Sequence, residues 1–303
     1  TLRCGSRVDQ PLGDVATGGH ARPAHTPADT YGCRCCHRGC CRPLHHEAQI
    51  ARLGDLRMAE ENHRFCHDAM NCPYEVIIVG HNEDYARQAS TALFDELDQM
   101  EQRLSRFIDH SDIGRIRSLN PGESTCVSPD TMDCLLAALW VHRETAGAFD
   151  VSLGQGLQHV IPDPERMTVT LSSSYDGPVF DPDDADKDWG MKLDLGGIGK
   201  GHALDRMIDM LGVWGIEHAL VSAGGSTVLS VGRNGAEEWA IGINGQAVPF
   251  SGLAVSSSGK DVLGEHVLDP NAGRPAAGNG RAWAICPSAT VADALSTAFM
   301  VMD

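Results

Sequence analysis

Three stretches of the C-terminal half carry residues whose types and spacing could do chemistry. The first runs from Leu193 to Ala203 and reads as a strand, a glycine-rich turn (Gly196, Gly197, Gly199, Gly201) and a helix start. Glycine lets the backbone approach a phosphate, and a helix N-terminus offers amides to an anion. A tight strand-to-helix turn that needs glycine for steric reasons accounts for the same residues. The second is Gly264 to Pro275, where His266 precedes Asp269 by three and Asp269-Pro270-Asn271 opens a turn. It is either a general base near a carboxylate or a surface histidine beside a structural turn. In the third, Asp293 and Thr297 lie four apart in a helical stretch and share a face. Carboxylate plus hydroxyl suits a hard cation such as Mg²⁺, completed by water and substrate phosphate. The plainer account is an acidic residue complementing the helix dipole and a threonine bonding back to a carbonyl. Taken jointly, a phosphate-cradling turn, a base and a hard-metal pair indicate chemistry at a phosphorus centre.

Two familiar phosphate loops are excluded. A P-loop needs Ser or Thr after its lysine, but Lys200 is followed by Gly201. The dinucleotide fingerprint needs a third glycine three residues beyond Gly199 in its GxGxxG frame, and His202 stands there. An NAD(P)-type oxidoreductase is therefore a poor reading.

The elements that must position these residues follow from periodicity and caps. Tyr74 to Gly80 reads as a strand. Asn82 caps a helix with Glu83 and Asp84 in its first turn and an apolar face through Tyr85, Ala89, Leu93, Leu97, Met100, Leu104 and Phe107. Ser128-Pro129 opens a second helix, with Leu135, Leu136, Leu139 and Trp140 inward and an end near Gly147. Met167 to Leu171 and Met191 to Leu195 read as strands. A third helix spans Ile198 to Leu211, stopped by Gly212. Short strands follow at 219–222, 227–231, 239–243, 253–256 and 283–286, and a last helix starts near Thr290. Helices followed by a strand-rich half indicate an α+β fold.

The formal charge of −17, with only four lysines, makes nucleic acid an unsuitable partner. No apolar run approaches the ~20 residues of a membrane-spanning helix. All ten methionines lie at or after Met58, whereas residues 1–57 hold eight arginines, no lysine and five acidic residues. The composition breaks there, so 1–57 is expected to be a non-native or disordered Cys/Arg-rich leader. Residues 58–303 form the folded domain. Cys33, Cys35, Cys36, Cys40 and Cys41 crowd together beside His37, His45 and His46, but their spacing fits no regular zinc pattern. The remaining cysteines are scattered like reduced thiols, and no apolar leader opens the chain at Thr1 or Met58. A cytoplasmic location is expected. The acidic stretch Asp181 to Asp188 reads as a solvated loop. The final helix lacks a closing polar tail, so the domain is expected to extend beyond Asp303.

Several segments resemble one family in the right order. Asp194-Leu195-Gly196-Gly197-Ile198-Gly199-Lys200-Gly201-His202-Ala203-Leu204-Asp205 is similar to DLGGIAKGYAVD of the ApbE-type FAD:protein FMN transferases. Val221 to Gly225 resembles its V-x-x-GG turn, and Ala254 to Gly259 with His266 to Pro275 its VATSG…HIIDPxTGxP. Ala292 to Ala298 resembles ADALATA. Upstream, Leu104 to Phe107, Ser111-Asp112 and Thr145 to Asp150 resemble LSRY, S-[DE] and TGGAFD, and Ala69-Met70 stands where the family has AMGT. Departures are Asn71-Cys72 for Gly-Thr, His202 for tyrosine, Ser257 for threonine and Ala272 for threonine.

The resemblance implies a two-lobed α+β core with mixed or antiparallel strands, packed helices and an FAD cleft between the lobes. It implies Mg²⁺-dependent cleavage of FAD, with FMN joined to a threonine or serine of an acceptor flavoprotein and AMP released. On this likeness His266 is the catalytic base. Asp293, Thr297 and the carbonyl of Gly197 bind Mg²⁺. Met70, Phe107, Ala148, Phe149, Asp150, Asp194, Lys200 and Val267 line the flavin nucleotide cleft. Members of the family are often exported. The alternative is a protein that binds FAD or hydrolyses it without transfer.

Overall fold

In the computed structural model, the β-branched run at Tyr74 lies in a strand, Cys72–Val79, whose two faces are both covered. Tyr74, Val76 and Ile78 enter one core, whereas Ile77 and Val79 enter a second cluster on the opposite side. A run buried on both sides needs no polar alternation, which is why it reads as continuous apolar sequence. The structure describes residues 62–178, 190–243, 246–259, 267–270, 272–276 and 280–302. The expected leader with its Cys-His cluster, the acidic stretch 181–188 and His266 lie outside these residues.

In chain order the first half holds β1 (Asn62–Ala69), β2 (Cys72–Val79), α1 (Glu83–Leu104), α2 (Asp112–Arg117), β3 (Ser124–Cys126), α3 (Pro129–Glu144), β4 (Val160–Asp163) and β5 (Thr168–Leu171). Then come α4 (Gly199–Val213), β6 (Ala219–Ala223), β7 (Thr227–Val231), β8 (Trp239–Ile243), β9 (Gln246–Phe250) and β10 (Ala254–Gly259). The last elements are β11 (Leu268–Asp269), β12 (Arg274–Pro275), β13 (Arg281–Cys286) and α5 (Ala289–Ala298). A six-stranded sheet, ordered β1-β2-β6-β7-β10-β13, is antiparallel throughout. Helices α1, α3, α4 and α5 pack on one face through Leu93, Leu97, Leu135, Leu204 and Ala292. The β8–β9 hairpin covers the other through Trp239, Ile241 and Phe250 against Ile77, Leu220 and Trp283. Strands β3, β5 and β4 form a small separate sheet. The α+β expectation holds. Among the described residues no helix is long and apolar enough to cross a membrane.

The predicted caps are realised. Asn82 Oδ1 accepts from the Tyr85 N–H at 2.9 Å, and Ser128 Oγ accepts from the Thr131 N–H at 3.3 Å. Other expectations are corrected. Met191 to Leu195 joins no ladder: the Asp194 N–H donates to the Val151 carbonyl and the Lys192 N–H to Gln155 Oε1. Its alternating burial (Met191, Leu193, Leu195) comes from side-chain packing, which imitates a strand pattern. Helix α4 runs through Gly212 to Val213 and is capped by Trp214, after which Gly215 at φ 68° takes the left-handed position. Helix α1 stops at Leu104, so Phe107 leaves its apolar face and is 81% exposed. In α3 the buried side is Met132, Leu135, Ala138 and Val141, with Leu136, Leu139 and Trp140 only half-buried. Strand β1 (NHRFCHDA) was not marked by its sequence because it is an edge strand with polar, half-exposed residues.

A buried charge network ties three helices together. Asp130 of α3 pairs with Arg103 of α1 and, at 3.2 Å, with the His202 ring of α4; Arg103 also reaches Glu96 at 3.0 Å. Close approach of α4 to α5 is enforced by Gly201, where a Cβ would stand 2.1 Å from the Ala289 carbonyl oxygen. Gly201→Ala must therefore push the two helices apart, and we expect a loss of about 1–3 kcal/mol in urea denaturation.

Candidate active site

Asp293 lies in the second turn of α5 and is 2% exposed. Such a carboxylate requires partners on both oxygens. Oδ1 accepts from the hydroxyls of Thr227 at 3.4 Å and Ser256 at 3.3 Å, and Oδ2 from the Gly201 N–H at 3.1 Å. Lys200 Nζ stands 3.3 Å from each oxygen and donates to the Gly196 carbonyl at 3.1 Å. One helix turn on, Thr297 Oγ1 meets Ser258 Oγ at 3.3 Å and bonds back to the Asp293 carbonyl at 3.2 Å. The back-bond expected of a helical threonine is thus present. Thr227, Ser256, Ser258 and Ser296 link into a hydroxyl chain with contacts of 2.9 to 3.2 Å. Spacing along the sequence did not single them out. The polar run Ser256 to Ser258 inside a strand was the available signal.

The steric reading of the glycine turn holds at Gly201, where a Cβ would meet the Ala289 carbonyl. A Cβ on Gly197 would lie 3.2 Å from Thr297 Oγ1 and from the Phe149 ring, so the missing side chain leaves room at the hydroxyl. Four of the turn's amides are already engaged: Gly196 donates to Asp194 Oδ1, Ile198 and Gly199 to the Leu195 carbonyl, and Gly201 to Asp293. An anion here would meet the Lys200 ammonium rather than a nest of these N–H groups. The N-terminus of α5 is occupied too, because Asp205 accepts from the Ala289 and Thr290 N–H groups and from the Ser288 and Thr290 hydroxyls. Asp205, matched as part of the motif, therefore acts as a helix-capping carboxylate.

The other residues singled out in the sequence have the following local partners. Ala148 and Phe149 are buried, and the Thr145 hydroxyl accepts from the Phe149 N–H. Asp150 folds its loop by accepting from the Ser152 N–H and hydroxyl and from the Gly154 N–H. Gly154 in turn approaches the Pro270 carbonyl so closely that a Cβ would lie 2.6 Å from it. That contact sets the Asp150 loop against the β11–β12 hairpin, where Val267 is buried and Asp269 Oδ1 accepts from the Ala272 N–H. The turn predicted at Asp269 is present; its neighbour His266 lies outside the described residues. Asp194 Oδ2 lies 3.5 Å from Arg106, whose guanidinium covers the exposed Phe107 ring at 4.6 Å. Arg106 lies within the segment that resembles LSRY but was given no role there.

Met70 and Asn71 form the β1–β2 turn at φ 50° and 59°, a mirror-type hairpin turn. Asn71 takes the left-handed conformation where the family has glycine, and asparagine is among the residues that tolerate it. Met70 Sδ accepts from the Tyr74 hydroxyl at 3.2 Å. Burial pushes the Cys72 thiol up, which keeps it protonated and unreactive despite its place near Lys200.

The sequence model of the ApbE family matches residues 70–303. The chain is similar to the "FAD:protein FMN transferase" of Vibrio cholerae, 25% identical over 238 residues that cover 68% of this chain and 71% of the relative. The protein of the same name from Salmonella typhimurium is 27% identical over 271 residues, covering 77% and 76%. Among solved structures, the ApbE protein of Thermotoga maritima aligns with a TM-score of 0.67 at 25% identity, covering 80% of this chain and 87% of that one. The flavin transferase ApbE of Vibrio cholerae aligns at 0.66 and 21% identity over the same shares. With the family match spanning most of the chain and the fold shared, this protein belongs to the ApbE family.

Proposed function

We propose that this chain is an FAD:protein FMN transferase that uses Mg²⁺ to move FMN from FAD onto a threonine or serine hydroxyl of an acceptor flavoprotein, releasing AMP. The observation that carries the reading is the convergence of Thr297, Gly196, Gly197 and Lys200 around the buried Asp293 carboxylate, in a chain whose relatives bear that name. Mg²⁺ takes oxygen ligands and is usually held by one or two carboxylates plus substrate phosphate. The donor set fits: a buried carboxylate, a hydroxyl and a turn carbonyl gather where an ammonium already sits. Among the described residues no cluster of three or more His, Cys, Asp or Glu side chains offers a metal cage. Asp293 and Thr297, with a carbonyl of the Gly196–Gly197 turn, would hold the ion. Bound there, Mg²⁺ offsets pyrophosphate charge that an acidic protein otherwise repels.

The chain's own residues supply positioning and proton transfer. Thr227, Ser256 and Gly201 hold the Asp293 carboxylate in one orientation. Phe107, backed by Arg106, offers a ring to the flavin nucleotide. Met70, Ala148, Phe149, Asp150, Asp194 and Val267 complete the cleft. His266 takes the proton from the acceptor hydroxyl as its oxygen bonds to the FMN phosphorus. The bond from that phosphorus to the bridging oxygen breaks, and AMP leaves with the bridging oxygen.

The test is incubation with FAD, Mg²⁺ and a threonine-containing acceptor peptide, read by peptide mass. We expect a gain equal to FMN, abolished by chelation and lowered roughly 10²–10⁴-fold by His266→Ala. FAD retained or hydrolysed beside an unmodified acceptor would instead make the protein an FAD-binding protein or pyrophosphatase.

A further inference from the structure

The Lys200 ammonium stands where the oxygens of the site converge, 3.3 Å from both Asp293 oxygens and 3.1 Å from the Gly196 carbonyl. Its side chain folds back from the first turn of α4 over the glycine turn and is 23% exposed, whereas that of Asp293 is 3% exposed. The other groups on Asp293 are neutral: two hydroxyls and one backbone N–H. Among the described residues, Lys200 is the cation paired with this carboxylate. We propose that Lys200 is a resident counter-ion that exchanges with the divalent cation. In the cation-free protein its ammonium neutralises Asp293. When the divalent ion binds, the ammonium leaves and turns to the anionic pyrophosphate of the substrate. The inference rests on the Mg²⁺-dependent reading above.

Three physical points support the exchange. A buried carboxylate stripped of its partner is strongly unfavourable, so the metal-free site needs a cation. Two cations at one carboxylate repel, so the arriving ion must displace the first. An ammonium on a flexible four-carbon stem has three rotatable donors and binds phosphate as a point charge, which suits it to both positions. With the amides of Gly196, Ile198, Gly199 and Gly201 engaged within the protein, the released ammonium is a charged group that can meet phosphate. Linkage then makes the two ligands cooperative. Lys200 weakens Mg²⁺ binding to the substrate-free protein, and FAD strengthens it by drawing the ammonium away.

The experiment titrates Mg²⁺ alone into metal-free protein by calorimetry, without and then with FAD. Lys200→Met should bind Mg²⁺ about tenfold tighter than the unaltered protein and lose most of the FAD-dependent tightening. Lys200→Arg, which keeps the charge, should stay near the unaltered value. Metal-free Lys200→Met should also melt lower and recover more on Mg²⁺ addition, which a merely structural lysine would not produce. Unchanged or weaker binding by Lys200→Met, with Asp293→Asn still abolishing it, overturns the exchange and leaves the metal site standing. Binding that survives Asp293→Asn, or that neither the unaltered protein nor Lys200→Met displays, overturns both.

Discussion

Replacing Asp293 with alanine is expected to lower flavin transfer about a thousandfold or more and to destabilise the fold by about 3–5 kcal/mol. The carboxylate is buried, and its removal strands the Lys200 ammonium, the Gly201 N–H and the hydroxyls of Thr227 and Ser256 in a closed site. Loss of one partner from a buried pair leaves the other charge uncompensated, which is why the cost exceeds that of a surface ion pair. Asp293→Asn separates the two effects. Its shape is retained, but its amide group cannot neutralise a cation, and one of its two positions turns a donor toward donors. Transfer should fall as far as in the alanine variant, with a smaller loss of stability. Urea denaturation and the peptide-mass assay measure the two quantities, and near-normal transfer by the asparagine variant would remove Asp293 from the catalytic account.

The second large effect lies away from the chemistry. Asp130→Ala should cost about 3–5 kcal/mol, a fall on the order of 10 °C in Tm, because it leaves His202 and Arg103 without their shared carboxylate. Burial pulls the His202 ring down, but Cys134 and Asp130 outweigh it and raise the ring from 6.5 to about 10. Burial pushes Asp130 up, but His202 and Arg103 outweigh it and lower the carboxyl from 3.8 to about 2. A raised histidine contributes stability that is complete below pH 6.5 and is lost as pH rises toward 10. A depressed aspartate contributes stability that is present above pH 3.8 and is lost as pH falls through 2. The gap between the unaltered protein and Asp130→Ala should therefore be widest between pH 3.8 and 6.5 and narrow on either side. Melting curves across that range check it, and a gap that grows toward pH 10 would contradict the assignment.

Much of the site was legible because its signals are local. Asp293 and Thr297 are one helix turn apart, so the helix brings them together whatever surrounds it. Asn82 and Ser128 cap helices through bonds that span three residues, and the Asp269 turn is equally short in reach. What escaped was non-local. Arg106 meets Asp194 only because the segment after α1 packs against the glycine turn. Thr227 and Ser256 reach Asp293 only because β7 pairs with β10 beneath α5.

The sequence by itself determined the helix starts, most of the strands of the second half, the α+β class and the motif positions, since each depends on periodicity or on bonds between near neighbours. Tertiary structure decided which alternation is a true ladder. Met191, Leu193 and Leu195 alternate in burial yet pair with loops, because burial depends on packing and a ladder depends on which backbone lies alongside. It also decided the state of the glycine turn, four of whose N–H groups are spent on Asp194, Leu195 and Asp293. Charge at the site is consequently carried by Lys200 and Asp293, which are 93 residues apart. Only closure of α4 against α5, permitted by the absent side chain of Gly201, puts them in contact.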